Sequence, residues 1–164
     1  MIRAVALIAG LALAACGFRP LYGGASGATR RLELSQIAVS PIESKLGTDL
    51  RNELIDRLTP SGEPGFPQYR LDLTLHEYRE GLGIQPDASV TRWNYELTAS
   101  YQLLDLGTGK VITKGTASSI AAYSVVNSQF ATLSAEEDAE RRTAIDLGDE
   151  LELRLALFFE QRSH

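Results

Sequence analysis

Few side chains in this sequence have the types and spacing that catalysis needs. The chain has one cysteine and two histidines, His76 and His164. His76 falls on the polar side of a predicted strand, where a general base would also need a nucleophile to orient. No such nucleophile stands out, and Asp72 and Glu77 differ in parity, which puts them on opposite strand faces. We therefore expect a solvated His76, no metal site, no cofactor and no enzymatic activity.

Residues 107–110, Gly-Thr-Gly-Lys, resemble the end of a phosphate-binding loop. That loop needs an earlier glycine and a Ser or Thr directly after the lysine. Leu104 and Val111 occupy these two positions instead. Glycine adopts positive φ without strain, which suits a tight turn between two strands. We predict a hairpin turn here rather than a nucleotide site.

Cys16, the one cysteine, ends a hydrophobic N-terminal segment. Arg3 gives a positive start, residues 4–13 are apolar, and residues 13–15 read Leu-Ala-Ala. This order is typical of a secretory signal, and the run is too short to span a bilayer. Leu-Ala-Ala-Cys is similar to the lipobox of bacterial lipoproteins, whose cysteine takes a diacylglyceryl group and then an N-acyl chain such as palmitate. An ordinary signal with an incidental cysteine would leave an unpaired thiol in an exported chain unexplained.

The sequence therefore divides into three parts. We predict a signal peptide over 1–15, a lipidated N-terminus and flexible linker over 16–29, and one α+β domain over 30–164. Gly17 follows the cysteine, whereas in Gram-negative lipoproteins an Asp there tends to hold the protein in the inner membrane; we thus expect the outer membrane. Phe18 and Tyr22 suit either the lipid headgroup level or a protein partner. The net charge of −5 argues against a general nucleic-acid binder.

Hydrophobic periodicity predicts six elements. The predicted elements are a strand within 32–42, a helix over 43–59, strands over 68–80, 90–106 and 110–123, and a helix from Ser134 to about Arg162. The four-residue repeat Leu46, Leu50, Leu54 and Leu58 marks the first helix. Ser134 and Glu137 have the spacing of a capping box for the second helix. Gly148 lies in the apolar stripe of that helix, where it would permit a close approach.

The element order β-α-β-β-β-α predicts an α+β fold. Two amphipathic helices each need an apolar surface, and the strands over 68–80 and 90–106 alternate apolar with polar residues. The simplest assembly is a two-layer sandwich, with a four-stranded, mostly antiparallel sheet and both helices on one face. The other face carries small polar residues such as Thr98 and Ser100. Such a face suits water, or the polar lumen of an outer-membrane barrel.

The opening Leu-Ala-Ala-Cys-Gly-Phe-Arg-Pro-Leu-Tyr-Gly, residues 13–23, resembles the start of the LptE family of lipopolysaccharide-assembly lipoproteins. The similarity is to the alphaproteobacterial members above all. Residues 123–131, 138–141 and 151–159 resemble the same family, so the likeness covers essentially the whole chain. The resemblance implies a role without catalysis. Members of the family plug the barrel LptD, help it fold, bind lipopolysaccharide and take part in its delivery to the cell surface.

Only Cys16 carries over from the family as a functional residue, as the lipidation site. Lipopolysaccharide binding would need cations that face the phosphates of lipid A. Arg92, Lys110 and Lys114 are the candidates, and ordinary solvated charges are the alternative interpretation. A second hypothesis for the whole chain is a periplasm-facing accessory lipoprotein of a lipid-transport ABC system. A barrel plug would bury its polar sheet face in the partner, whereas the accessory protein would leave that face in water.

Overall fold

A computed structural model of the protein describes residues 31–84, 90–126 and 128–162. It has the predicted α+β architecture, a four-stranded sheet with helices on one face. The elements are β1 Ile37–Val39, α1 Lys45–Leu58, β2 Tyr69–Ile84, β3 Val90–Asp105, β4 Lys110–Ser124 and α2 Gln129–Arg162. Residues 31–34 form a further short helical segment before β1. The predicted signal peptide and linker lie outside the described residues.

The strands follow the order β1-β2-β3-β4 across the sheet. β2, β3 and β4 pair in antiparallel fashion along nearly their whole length, as their consecutive hairpins predict. β1 pairs in parallel with the start of β2, so α1 crosses between two neighbouring parallel strands. The position of the first strand, which the sequence left open, is therefore an edge of the sheet. The predicted turn after β3 is present, with Gly109 at φ 68°.

One layer of side chains between the sheet and the helices forms the core. From β3 the odd-numbered residues point inward, and Tyr95, Leu97 and Leu103 have no exposed surface. The predicted stripes of both helices complete the layer. Buried helix residues include Leu46, Leu50, Leu54 and Leu58 from α1, and Ala144, Leu147, Leu151, Leu155 and Phe159 from α2. Both helices therefore cover the same face of the sheet, as predicted.

The two helices are held together by a close contact and by charge. A Cβ atom at Gly148 of α2 would lie 3.0 Å from Glu53 Cγ of α1, so this glycine permits the predicted close approach. Arg57 of α1 forms ion pairs with Glu53 at 2.7 Å and with Asp149 of α2. Glu152 of α2 lies 3.8 Å from the same guanidinium. Arg57 thus joins carboxylates of both helices across their interface.

The predicted start of α2 is wrong. The helix begins at Gln129, five residues before Ser134, so Ser134 and Glu137 lie inside it and form no capping box. Ser128 caps the helix instead, because its hydroxyl accepts a hydrogen bond from the Ala131 N–H at 3.4 Å. The sequence contains two serines at cap-like spacing, and the packing of the chain at the end of β4 selects the first.

The strand boundaries also differ from the sequence prediction. β1 is limited to three residues, and residues 31–34 before it are helical, which brings Leu34 into the core. β2 continues to Ile84, so residues 81–84, predicted as a connection, belong to the strand. Glycine lowers strand propensity there, yet pairing with β3 keeps the segment extended through a bulge between Gly81 and Gly83.

Candidate functional site

The sheet face opposite the helices is left uncovered by the other described elements. We call it the outer face, and it comprises the even-numbered residues from Arg70 to Glu80 of β2 and from Arg92 to Leu104 of β3, with the residues of β4 that pair with this part of β3. Their side chains are exposed or half-buried, whereas the odd-numbered residues of β3 are mostly buried. No element packs on it within the ranges that the structure describes. The fold thus confirms the predicted division of the sheet into an apolar face and a polar face.

Small polar side chains occupy the middle of the outer face in rows across three strands. One row consists of His76, Thr98 and Ser118, and the next of Thr74, Ser100 and Thr116. The face of β4, which sequence alternation alone did not settle, is fixed by this pairing. A third row, Tyr78, Glu96 and Ile120, adds two exposed apolar side chains. The outer face therefore has two central rows without a formal charge and an amphipathic row towards one end.

The structure separates the three cations predicted to contact lipopolysaccharide. Lys114 pairs with Gln102 near the β3–β4 turn, and Lys110 begins β4 beside that turn. Arg92 pairs with Ser124 at the other end of the sheet. Ten residues of β4 separate the two positions, which corresponds to about 33 Å at the rise of a strand. A bulge in β4 lies between the two lysines, so Lys110, opposite Asp105, and Lys114, opposite Gln102, lie on different faces of the sheet. The three cations therefore do not form one headgroup site.

His76 is exposed on the outer face, as predicted, with Thr98 as its neighbour on β3. Its other surroundings are the polar rows already named, and none of these contacts orients a nucleophile. Among the described residues, no group of three or more His, Cys, Asp or Glu side chains is placed to hold a metal ion. Cys16 and His164 lie outside that part of the chain.

A concave surface lies between α1 and α2. This groove has a volume of about 660 Å³, and six of its thirteen lining residues are carboxylates. Its acidic lining residues are Asp49, Glu53, Asp56, Glu77, Glu137 and Glu140, against the cations Lys45 and Arg141. Such a lining repels phosphate groups. The helical side of the molecule is therefore unsuited to the headgroup of lipid A.

Arg79 organises the polar contacts beside this groove, a role that the sequence did not indicate. From β2 it forms ion pairs with Glu136 and, at 3.3 Å, with Glu140 of α2. Its guanidinium carbon also lies 5.6 Å from the centre of the Tyr95 ring, within range of a cation–π contact. Burial raises the pKa of Glu140, although the charge of Arg79 acts in the opposite direction. Arg79 is an odd-numbered residue of β2, so it lies on the face that Leu71 and Leu73 make apolar. A charge at such a position is the signal by which the sequence could have indicated an ion pair on that face.

The Tyr95 hydroxyl is buried beneath Arg79 without a hydrogen bond of standard geometry. Burial raises the pKa of this phenol, and the nearby Glu77 carboxylate raises it further. The group is thus held neutral. It lies in the core layer, between the sheet and α2, rather than on the outer face. The contacts of Arg79 with Tyr95, Glu136 and Glu140 therefore have a structural role, which is to hold the first part of α2 against the sheet.

A sequence model of the LptE family, described as lipopolysaccharide-assembly, matches residues 34–155. The match spans about three-quarters of the chain. The chain belongs to the LptE family. This finding confirms the family resemblance of the sequence and makes the protein a bacterial envelope lipoprotein of lipopolysaccharide assembly, in a family that is not enzymatic. A search of curated proteins finds none that matches this LptE sequence.

Solved structures of lipoproteins share the fold of this LptE chain. A Caulobacter crescentus protein assigned as a lipoprotein is 25% identical, with a TM-score of 0.68 over 80% of this chain and 96% of the other. The minor lipoprotein of Acinetobacter baumannii is 21% identical, with a TM-score of 0.58 over 74% and 91%. The rare lipoprotein B of Shewanella oneidensis is 16% identical, with a TM-score of 0.61 over 78% and 97%. The last two show the fold alone.

Neither described helix could act as a transmembrane anchor for this LptE protein. Within the described ranges, no helix is long and apolar enough to cross a membrane. α2 is long, but it carries many charged residues between Glu136 and Arg154 beside its apolar stripe.

Proposed function

We propose that this protein is the lipid-anchored outer-membrane subunit that plugs an LptD-type barrel and assists its assembly in lipopolysaccharide transport. The observation that carries the proposal is the outer face, a broad polar surface that no element of the described chain covers. The interior of an outer-membrane barrel is polar. The small hydroxyl side chains in the two central rows of this face can pack against such a wall without burying a charge. Membership of the LptE family supports the same role.

Cys16 is the proposed membrane anchor. One diacylglyceryl group and one further acyl chain supply more than the single chain that binds a bilayer only marginally. The sequence around Cys16 supports lipidation after removal of residues 1–15, and Gly17 supports sorting to the outer membrane. The protein itself is proposed to have no catalytic activity. Its work is done by binding the barrel and lipopolysaccharide.

Lys110 and Lys114 are the proposed contacts for a lipopolysaccharide phosphate. Both side chains are exposed near the β3–β4 turn, and neither forms an ion pair with a carboxylate within the described ranges. They lie on different faces of the sheet, so each would contact a phosphate from its own side. Arg92 lies at the far end, so any contact that it makes belongs to a different ligand or to the barrel.

The outer face can be tested with one large charged side chain at its centre. Thr98→Arg and Ser100→Arg each place a guanidinium among small polar neighbours, which would be buried if the face meets a barrel wall. Asn52→Arg, on the exposed surface of α1, is the matched control. We expect both outer-face variants to lose most of the LptD-type barrel that co-purifies in mild detergent, while the control retains it.

Two results would contradict the plug. Outer-face variants that retain the barrel at equal stoichiometry would show that this face remains in water. Recovery of inner-membrane transporter subunits in place of a barrel, from the unchanged protein, would support the accessory role in a lipid-transport ABC system. In either case, the polar rows around Thr98 would be ordinary solvent-exposed surface.

A further inference from the structure

The last strand, β4, forms one edge of the sheet, because β3 is its only neighbour in the strand order. Along an antiparallel strand, alternate residues direct their N–H and C=O groups towards the neighbouring strand and away from it. The Val125 N–H donates to the Thr91 carbonyl at 2.9 Å, and the register that this bond begins is unbroken as far as the pair Leu103 and Thr113. The odd-numbered residues over this length therefore face β3, and the even-numbered residues direct their backbone groups to the free edge.

Two side chains of α2 bind this edge where β4 ends. Arg142 Nη2 donates to the Ala122 carbonyl at 3.3 Å. The Thr132 hydroxyl accepts from the Val126 N–H and donates to the Val126 carbonyl, both at 3.2 Å. Both of these backbone partners are even-numbered, which agrees with the direction of the edge. The domain thus satisfies part of this edge with its own side chains.

The middle of the same edge has no such partners. The edge-facing backbone groups of Thr116, Ser118 and Ile120 form no hydrogen bond within the part of the chain that the structure describes, and all three residues are exposed. Charged side chains, prolines and bulges are the usual features that keep an edge from pairing. Residues 115–124 contain no charged residue and no proline, and the lysines and the bulge of β4 lie before them. We call the backbone groups of Thr116, Ser118 and Ile120 the open edge.

The opposite edge of the sheet is protected by charge. β1 pairs only with Tyr69–Leu71, so the rest of β2 is also an edge. Its odd-numbered residues face that edge, because the Leu71 carbonyl accepts from the Ser40 N–H at 3.0 Å. Glu77 and Arg79 are charged and lie on the side of the sheet that the helices cover, an arrangement that opposes pairing with a further strand. The two edges therefore differ, and β4 presents the one that suits a partner strand.

We propose that the open edge pairs with an extended segment of the LptD-type barrel, which adds a fifth strand to the four-stranded sheet. The inference rests on the proposed plug. Thr116 and Ser118 belong to the central rows of the outer face, so the open edge is continuous with the surface proposed to meet the barrel. A closed barrel wall has no free strand edge, so the segment is a loop directed into the lumen. Its centre is uncharged, as β4 is there, and a carboxylate at one end would pair with Lys114.

Amide hydrogen exchange resolved at single residues can detect the added strand. The unchanged lipoprotein is measured alone in mild detergent and again in its complex with the barrel. Pairing supplies acceptors to the N–H groups of Thr116, Ser118 and Ile120, whereas packing on the outer face supplies none in the plane of the sheet. Leu73 and Leu75 provide the matched control, because their N–H groups face the protected edge of the same sheet.

We expect exchange at the three open-edge amides to slow about tenfold or more in the complex, and exchange at the two control amides to change by less than about twofold. Equal slowing at both edges, or no slowing at the open edge of a chain that retains the barrel, would overturn strand pairing and leave the proposed function intact. Slowing that is already present without the barrel, in a chain that elutes as a dimer, would identify a second copy as the occupant and also overturn the proposal. If no barrel co-purifies with the unchanged protein, the proposed function and this inference fail together.

Discussion

Gly47 of α1 has no room for a side chain, because Ile42 lies directly against it. A Cβ atom there would lie 2.7 Å from Ile42 Cγ2 and 2.9 Å from the Ile42 carbonyl oxygen. The oxygen belongs to the backbone that leads into α1, so it cannot move aside as a flexible side chain could. The Ser44 hydroxyl also accepts a hydrogen bond from the Gly47 N–H at 3.0 Å. Capping of α1 and docking of Ile42 thus depend on the same position.

Gly47→Ala is expected to lower the free energy of unfolding by about 1–3 kcal/mol, because overpacking displaces Ile42. Helix propensity alone predicts the opposite sign, a gain of about 1 kcal/mol. Urea denaturation distinguishes the two. Gly65→Ala is the control, since a Cβ atom there meets nothing within 4 Å. A Gly47 variant that is as stable as the Gly65 variant would show that Ile42 moves aside without a loss of stability.

The turn after β3 contains a carboxylate whose charge the backbone favours. Asp105 Oδ1 accepts a hydrogen bond from the Thr108 N–H at 2.9 Å. This bond, more than any other cause, lowers the pKa of Asp105 below its ordinary value. The folded state therefore binds the proton less readily than the unfolded state does. The stabilisation is complete above the unfolded pKa and is lost as the pH falls through the lower, folded pKa.

Asp105→Asn is expected to flatten the acid limb of the stability profile. The unchanged protein should lose stability between about pH 5 and pH 2 through this group among others, whereas the amide cannot titrate. Denaturant midpoints measured across this range give the comparison. An acid limb that keeps its full slope in the variant would mean that Thr108 does not favour the ionised form of Asp105.

At the scale of elements, α2 is a helix with two different halves. From Ala139 onward its inward stripe is buried, whereas none of residues 129–138 is fully buried. Phe130 and Leu133 are exposed there. The Ser128 cap and the ion pairs of Arg79 with Glu136 and Glu140 stabilise this first part. Local interactions therefore matter more at the start of α2 than at its end, where core packing dominates.

Ser128→Ala is expected to increase fraying of the first turns of α2, because an N-terminal N–H loses its partner. A lost cap amounts to about 1 kcal/mol. Amide hydrogen exchange over residues 129–135 measures this effect directly, since local opening need not change the global transition. Ser134→Ala is the matched control and should leave exchange unchanged or slower. Faster exchange in Ser134→Ala than in Ser128→Ala would instead indicate that Ser134 forms the capping box.

The whole molecule has two large surfaces of distinct character. The helical side carries the acidic groove, and the outer face has small polar side chains in its central rows. Within the described ranges, Arg57 and Arg79 are cations that join elements of the helical side to one another. None of the ion pairs of these two arginines involves the central rows of the outer face. Its composition is then available for a partner rather than for folding.

Thr98→Arg and Ser100→Arg should therefore alter association without altering stability. The expected change in the free energy of unfolding is within about 0.5 kcal/mol, as for other surface substitutions. Thermal denaturation of the purified lipoprotein, measured beside the Asn52→Arg control, is the check. A large fall in Tm would show that these positions support the sheet itself, and loss of the barrel in the same variants would then be a folding defect.

The sequence by itself determined whatever depends on local periodicity. Leucines four apart, as at Leu50 and Leu54, indicated α1. Alternation around Trp93 and Tyr95 indicated β3 and the face of the sheet that the helices cover. The turn glycines and the close approach at Gly148 also followed from local patterns, and together these features gave the fold class. Recognition of the family rested on residues contiguous in the chain.

Only the tertiary structure decided which distant segments meet. It placed β1 beside β2, chose Ser128 over Ser134, and set Arg92 about 33 Å, ten strand residues, from Lys114. It joined Arg79 to α2, and it placed Gln36, Gln68 and Leu106 side by side through backbone hydrogen bonds. Periodicity reports the face of an element on which a residue lies. It carries no information on which elements become neighbours, because that choice is made by the burial and hydrogen bonding of the whole chain at once.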